Sequence, residues 1–267
     1  MRAIPEAPDL TSLKPFDSCV TLGRVVHSKF PEYLTAENVL EVMDRYHIEE
    51  ALVHSQHARA IYPREKGNRQ LLERIQGMPR LHPQWVLEPA RRKGKETARA
   101  VVEEMLEASV RSARFPMRIA PPLPWLWDDL CAALEEHRVP CFLDFGEARP
   151  RGDLQDSDVN GIREIALAHP ELPVVLSCIM GGLGVHYGVL PLIRQTKNVY
   201  IDITGILRYW RDAARDVGPE RVIFATGAPF TGPGILISNV QYALDLDENA
   251  KKLICGDNLR RLLGDVR

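Results

Sequence analysis

Short apolar runs that end in a small or polar residue recur along the chain, each followed by a stretch of helical period. Eight can be read: Phe16–Leu22, Ala51–Ser55, Gln84–Leu87, Ala113–Phe115, Pro140–Phe145, Pro173–Ile179, Val199–Thr204 and Arg221–Thr226. Runs that are apolar on both faces describe buried parallel strands rather than half-solvated antiparallel ones. Between them, apolar residues fall on one helical side. Val39, Val42, Met43 and Tyr46 follow a Thr35 N-cap, and Leu71, Leu72 and Ile75 come next. Val102, Met105, Leu106 and Val110 form a third stripe, Leu126, Leu130, Ala133 and Leu134 a fourth, and Ile162, Ile165 and Ala166 a fifth behind Asp158.

Eight strand-to-helix units in 267 residues predict an α/β fold, a closed (β/α)8 TIM barrel. An open doubly wound sheet is the competing arrangement. No G-x-G-x-x-G follows the first run, which argues against a dinucleotide-binding sheet. No linker divides the chain, so one barrel domain is expected over residues 1–267, with 1–15 as an arm laid on the surface.

Composition narrows the partners. The formal net charge is −2, so no bulk field attracts nucleic acid or an anionic membrane. The basic cluster Arg91-Arg92-Lys93 with Lys95 reads as a solvated loop. No apolar run approaches the roughly 20 residues that cross a bilayer. The start, MRAIPEAPDL, carries prolines and acids where a signal peptide needs an apolar core, so a cytoplasmic protein is expected. Five cysteines without a CxxC pair point to reduced thiols. The expected partner is a small-molecule substrate or ligand, and the exposed helices leave room for a homo-oligomer.

In a barrel, chemistry sits at the C-terminal ends of the strands. The strand ends offer Cys19, Thr21 and Arg24, then His54 and His57, Arg114, Asp144 and Glu147 with Arg149 in the loop beyond, Cys178, Asp202 and Thr204, and finally Thr226 beside Gly227. Asp144, with Glu147 or Asp202, is a candidate for acid–base work. Cys19 or Cys178 is a candidate nucleophile if His54 serves as its base. Cys19, Cys178 and Asp144 together, with His54, are candidates for a remodelled zinc site. Arg24, Arg114 and Arg149 suit a bidentate grip on a carboxylate, with Asp202 and Thr226 completing a substrate pocket. Each has a structural counterpart: salt bridges at the barrel mouth, and small buried thiols. His27, His57, His82 and His186 read as loop side chains. His47, His137 and His169 lie near helix C-termini, where the helix dipole favours them.

Five stretches carry a family likeness: FDSCVTLG at strand one, VPCFLDFGE at strand five, LPVVLSCIMGG at strand six, VIFATGAPF at strand eight and the ending ICGDNLRRLLG. NVYIDITG and GNRQLLE fit as well. In these the chain resembles the amidohydrolase-related family, over nearly its whole length. The resemblance implies a (β/α)8 barrel with one divalent metal, usually zinc, and activity as a hydrolase or non-oxidative decarboxylase. It implies metal ligands from a His-x-His on strand one, a middle-strand histidine and an aspartate after strand eight, with a further histidine for substrate or metal. Carried over, those positions hold Cys19, Thr21, Asp144, Cys178 (or Ile179) and Gly227. None is a histidine, and glycine stands where the family's aspartate takes a proton from metal-bound water. The family's metal-free lactonases rely on that aspartate too. No cofactor is therefore expected, zinc remaining an option only at a remodelled site.

Two functions stay open. One is a hydrolase or decarboxylase of a small carboxylate or cyclic substrate with a degraded or non-standard metal site. The other is a catalytically silent barrel that binds a ligand or serves as a scaffold.

Overall fold

The computed structural model describes residues 10–25, 35–60, 64–89, 95–117, 120–146, 156–179, 188–206 and 209–267. Its strands are β1 (Phe16–Leu22), β2 (Glu50–Ser55), β3 (Leu81–Pro83), β4 (Trp85–Val86), β5 (Ala113–Pro116), β6 (Cys141–Asp144), β7 (Val174–Ser177), β8 (Val199–Asp202) and β9 (Val222–Ile223). They pair in parallel as β1-β2-β3 and as β4 through β9 in chain order.

The two sheets are one barrel. β3 and β4 fill a single strand position, interrupted at Gln84, whose backbone N–H still bonds Val53 O at 2.9 Å. The last seam closes where Ser18 N–H reaches Phe224 O at 3.1 Å and Thr21 N–H reaches Ala228 O at 2.8 Å, beside a parallel bridge between Val20 and Ala228. The register of β1 slips between Asp17 and Val20, a bulge of the kind that re-aims side chains at barrel rims. The expected (β/α)8 barrel is thus the architecture observed.

Helices wrap the outside: α1 (Ala36–Arg45), α2 (Gln56–Ala60), α3 (Arg64–Ile75), α4 (Lys95–Glu107), α5 (Pro124–Glu136), α6 (Asp156–Ala168), α7 (Leu190–Gln195), α8 (Trp210–Val217), α9 (Pro233–Gln241), α10 (Glu248–Lys252) and α11 (Asn258–Gly264). Thr35 caps α1 by accepting from Asn38 N–H, and Val39, Val42 and Met43 are buried as their spacing requires. These faces join the outward strand residues in one large core. A second core fills the barrel's lower end: Phe16, Leu52, Phe142, Val175, Tyr200 and Ile223 from the strands, against Leu259 and Leu262 of α11. Apolar filling below leaves the polar strand residues at the upper, C-terminal end.

Several boundaries differ from expectation. The third strand starts at Leu81, earlier than Gln84, and the eighth shrinks to Val222–Ile223. Helix α6 starts at Asp156, so Asp158 lies inside its first turn. The proline-containing start is not wholly superficial: Leu10–Leu13 is a 3-10 helix with Leu10 and Leu13 buried, while residues 1–9 lie outside the described residues. Among the described residues, no helix is long and apolar enough to cross a membrane.

Candidate functional site

Polar groups from several strands and from α2 meet inside the upper barrel. Arg114, from β5, has no exposed surface. Its guanidinium donates from Nε to Gln84 Oε1, from Nη1 to Ser177 Oγ at 3.2 Å and from Nη2 to Ser18 O at 3.3 Å, and Nη1 lies 3.2 Å from Asp144 Oδ2. A second guanidinium closes on the same carboxylate. Arg59 of α2 donates from Nε to Asp144 Oδ2 at 2.8 Å and from Nη2 to Asp144 Oδ1 at 3.2 Å. Asp144 Oδ1 also accepts from Gly146 N–H at 2.9 Å. Burial would raise the Asp144 carboxyl, but the Arg59 and Arg114 charges outweigh it and hold Asp144 well below the ordinary carboxylate range.

Arg59 is the residue that sequence reading missed. It sits on a five-residue helix directly after β2, and it reaches on to Gly146 O at 3.0 Å. Its charged end lies 5.1 Å from the Phe230 ring centroid, a cation–π distance. Gly146 leaves it room: a β-carbon there would stand 2.8 Å from Arg59 Nη2 and 3.0 Å from Cys178 Cβ.

The other strand ends are engaged too. His54 Nε2 is 2.8 Å from Thr21 Oγ1. Burial, then the Arg114 and Arg59 charges, keep the imidazole neutral. Nδ1 has no hydrogen-bond partner among the described residues. A lone pair is cheaper to leave unpaired than an N–H, which assigns the proton to Nε2 and makes Thr21 Oγ1 the acceptor. Ser18 Oγ and Thr204 Oγ1, on β1 and just beyond β8, also lack partners among the described residues.

Cys19 Sγ and Cys178 Sγ lie 3.6 Å apart. The contact with Cys19, together with burial, pushes the Cys178 thiol well up. Asp202 accepts from Ser177 Oγ, from Cys178 N–H at 3.4 Å and from Thr204 N–H at 3.0 Å. Burial pushes its carboxyl up to about 7 in spite of these bonds and of Arg114. Asp17, also missed from sequence, is pushed up to about 6 by burial. It accepts the Thr226 hydroxyl and, at 2.9 Å, the Thr226 N–H, so Thr226 ties the barrel seam. Arg24 is exposed. Arg149, Glu147, His27 and His186 lie outside the described residues. Of the helix-end histidines, His169 bridges Asp128 and Glu135 at 3.1 Å each; His82, expected in a loop, lies on β3 and bonds Glu50 at 2.7 Å at the barrel's lower end. Among the described residues, no group of three or more His, Cys, Asp or Glu side chains is placed to hold a metal ion.

The sequence profile described as Amidohydrolase matches residues 31–264. The chain belongs to the amidohydrolase family. Among curated proteins, none matches it. Among solved structures, this amidohydrolase chain is similar to 5-carboxyvanillate decarboxylase from Sphingomonas paucimobilis, with 13% identity and a TM-score of 0.72 over 96% of this chain and 100% of that one. It is also similar to a 2,6-dihydroxybenzoate decarboxylase complexed with 2,6-dihydroxybenzoate, with 16% identity and a TM-score of 0.70 over 94% and 98%. A dihydroxybenzoic acid decarboxylase from Polaromonas sp. JS666, with bound manganese and the inhibitor 2-nitroresorcinol, shares 16% identity and a TM-score of 0.72 over 94% and 96%. At these identities the likeness is one of fold.

Proposed function

We propose that this member of the amidohydrolase family binds a small carboxylate at the upper mouth of its barrel, with metal-ligand positions that have been substituted. The observation that carries the reading is the double guanidinium clamp on Asp144. Two permanent cations face one carboxylate, at 2.8 and 3.2 Å, in a water-poor interior where charges act strongly. Ser18 Oγ, His54 Nδ1 and Thr204 Oγ1, without partners among the described residues, add hydrogen-bonding capacity in the upper barrel. The aromatic carboxylates named for the similar structures support the ligand class.

The divalent metal implied by the family does not fit these residues. Asp144 has both oxygens engaged by guanidinium groups, His54 is bonded to Thr21, and Gly227 brings no ligand. A zinc ion needs about three protein ligands, and a buried guanidinium repels a dication. The same locks argue against Asp144 as an acid–base group. Ligand binding is therefore favoured over metal-assisted hydrolysis or decarboxylation.

Asp202 favours a second reading, metal-independent acid–base catalysis, because its carboxyl is held at about 7, near the operating pH of a general acid. One set of measurements separates the two. Purified protein is assayed for zinc and manganese, then titrated calorimetrically with 2,6-dihydroxybenzoate with and without chelator while carbon dioxide release is followed. Saturable binding that ignores the chelator, with no carbon dioxide, is expected. Turnover abolished in Asp202→Asn would establish the catalytic reading instead. Stoichiometric metal lost in Asp144→Ala would overturn both.

A further inference from the structure

We propose that Cys19 and Cys178 form a reversible disulfide across the barrel mouth, making the pair an oxidant-sensitive modification site. The two residues are 159 positions apart in sequence, yet their sulfurs are 3.6 Å apart. Cys19 comes from the bulged segment of β1, and Cys178 follows β7 directly. Rotation about the side-chain torsions must bring the sulfurs from contact to a bond of about 2.05 Å.

Two features set Cys178 apart from the other thiols. Cys178 is partly exposed, whereas Cys131, Cys141 and Cys255 are buried, so an oxidant has access only here among the described cysteines. Cys178 holds a positive φ of 56°, unusual for a residue with a side chain and of the kind that concentrates at functional strand ends. Cys141 and Cys255, both buried, serve as internal standards for an inaccessible thiol.

The chemistry balances with a peroxide as oxidant. The sulfur of Cys178 attacks one oxygen of hydrogen peroxide, the O–O bond breaks, and water leaves to give a sulfenic acid. The Cys19 sulfur then attacks the sulfenic sulfur, the S–O bond breaks, and a second water leaves as the S–S bond forms. Two thiols are oxidised and one peroxide is reduced to two waters. A dithiol reductant reverses the bond by exchange. The crosslink would join β1 to the turn after β7, next to Gly146 and the Asp144 clamp.

The test treats the full chain with hydrogen peroxide at neutral pH, alkylates it in denaturant and maps it by mass spectrometry without reduction. The expected result is a peptide pair joined through Cys19 and Cys178, and loss of two of the five thiols, both restored by dithiothreitol. Cys131→Ser should leave the crosslink intact, whereas Cys19→Ser and Cys178→Ser should each abolish it. Retention of all thiols in the wild-type chain, stable oxygenation of Cys178 without a bond to Cys19, or a crosslink through any other cysteine would overturn the proposal.

Discussion

The methyl group of Thr204 stands where a side chain on Gly227 would go. Gly227 also has φ +69°, a left-handed conformation that suits glycine. The position matched to the family's strand-eight aspartate is therefore closed in two ways, by backbone conformation and by a neighbour from β8's end. Gly227→Asp should destabilise the fold, by about 1–3 kcal/mol, and should not create metal affinity. Adding Thr204→Ala should recover part of that loss by relieving the overlap. Denaturant midpoints for the two variants check both points, and a fully stable Gly227→Asp would refute the packing argument.

The Asp144 clamp predicts an asymmetric response to mutation. Asp144→Ala leaves two guanidinium groups facing each other without the carboxylate between them, so the loss should be about 3–5 kcal/mol. Combining it with Arg59→Met should cost less than Asp144→Ala alone, because one of the stranded charges goes too. Because Asp144 is held below its ordinary value of 3.8, its contribution is present above that value and disappears as pH falls below it. A double-mutant cycle measured by chemical denaturation tests the coupling.

Asp202 has the opposite pH signature. Its carboxyl is raised from 3.8 to about 7, so between those values the folded state keeps a proton that the unfolded chain releases. Stability should therefore decline as pH rises through this window, by up to about 1.4 kcal/mol per pH unit from this group. Asp202→Asn keeps an oxygen for the Cys178 and Thr204 amides and has nothing to ionise. Its stability should vary less across the same window, as followed by urea midpoints over the range. An unchanged slope in the variant would assign the titration elsewhere.

Much of the frame was legible because burial on both faces leaves a plain mark: β6, β7 and β8 are apolar up to a final polar residue, and β1 is buried throughout although it carries Asp17, Ser18 and Thr21. The short β9 and the divided β3–β4 position were misjudged because their limits depend on pairing across the seam, which periodicity does not report. Several family-like motifs turn out to be backbone clamps. Asn68, in GNRQLLE, donates to Val86 O and accepts from Val86 N–H, both at 3.0 Å. Asn258, in ICGDNLRRLLG, donates to Pro219 O at 2.8 Å and Val222 O at 2.9 Å. The site was half legible. Strand-end position flagged Asp144, Arg114, His54, Cys19, Cys178 and Asp202, and all of them lie in the upper barrel. Arg59 was not flagged because it stands on a helix one turn past its strand, in the unpatterned stretch QHARA. Asp17 was overlooked because one acid inside an apolar run gives no hint of a hydroxyl 209 residues away.

The buried carboxyls beside the clamp give the ligand proposal its own pH test. Arg59 and Arg114 are cationic throughout, and Asp144 is held ionised between them. Asp202 and Asp17 are neutral when protonated, with carboxyls at about 7 and about 6, and both feel Arg114. As pH rises through those values they ionise and oppose an incoming anion. A benzoate-type ligand stays ionised over the same range, so its affinity should fall several-fold between about pH 6 and about pH 8 as the buried carboxyls titrate. In Asp202→Asn the fall should shrink, leaving the lower-lying Asp17 step. Calorimetric titration of both proteins with 2,6-dihydroxybenzoate measures this directly. An affinity that rises with pH in the wild-type protein would mean that the anion does not sense these guanidinium groups, and the clamp would lose its role as the binding charge.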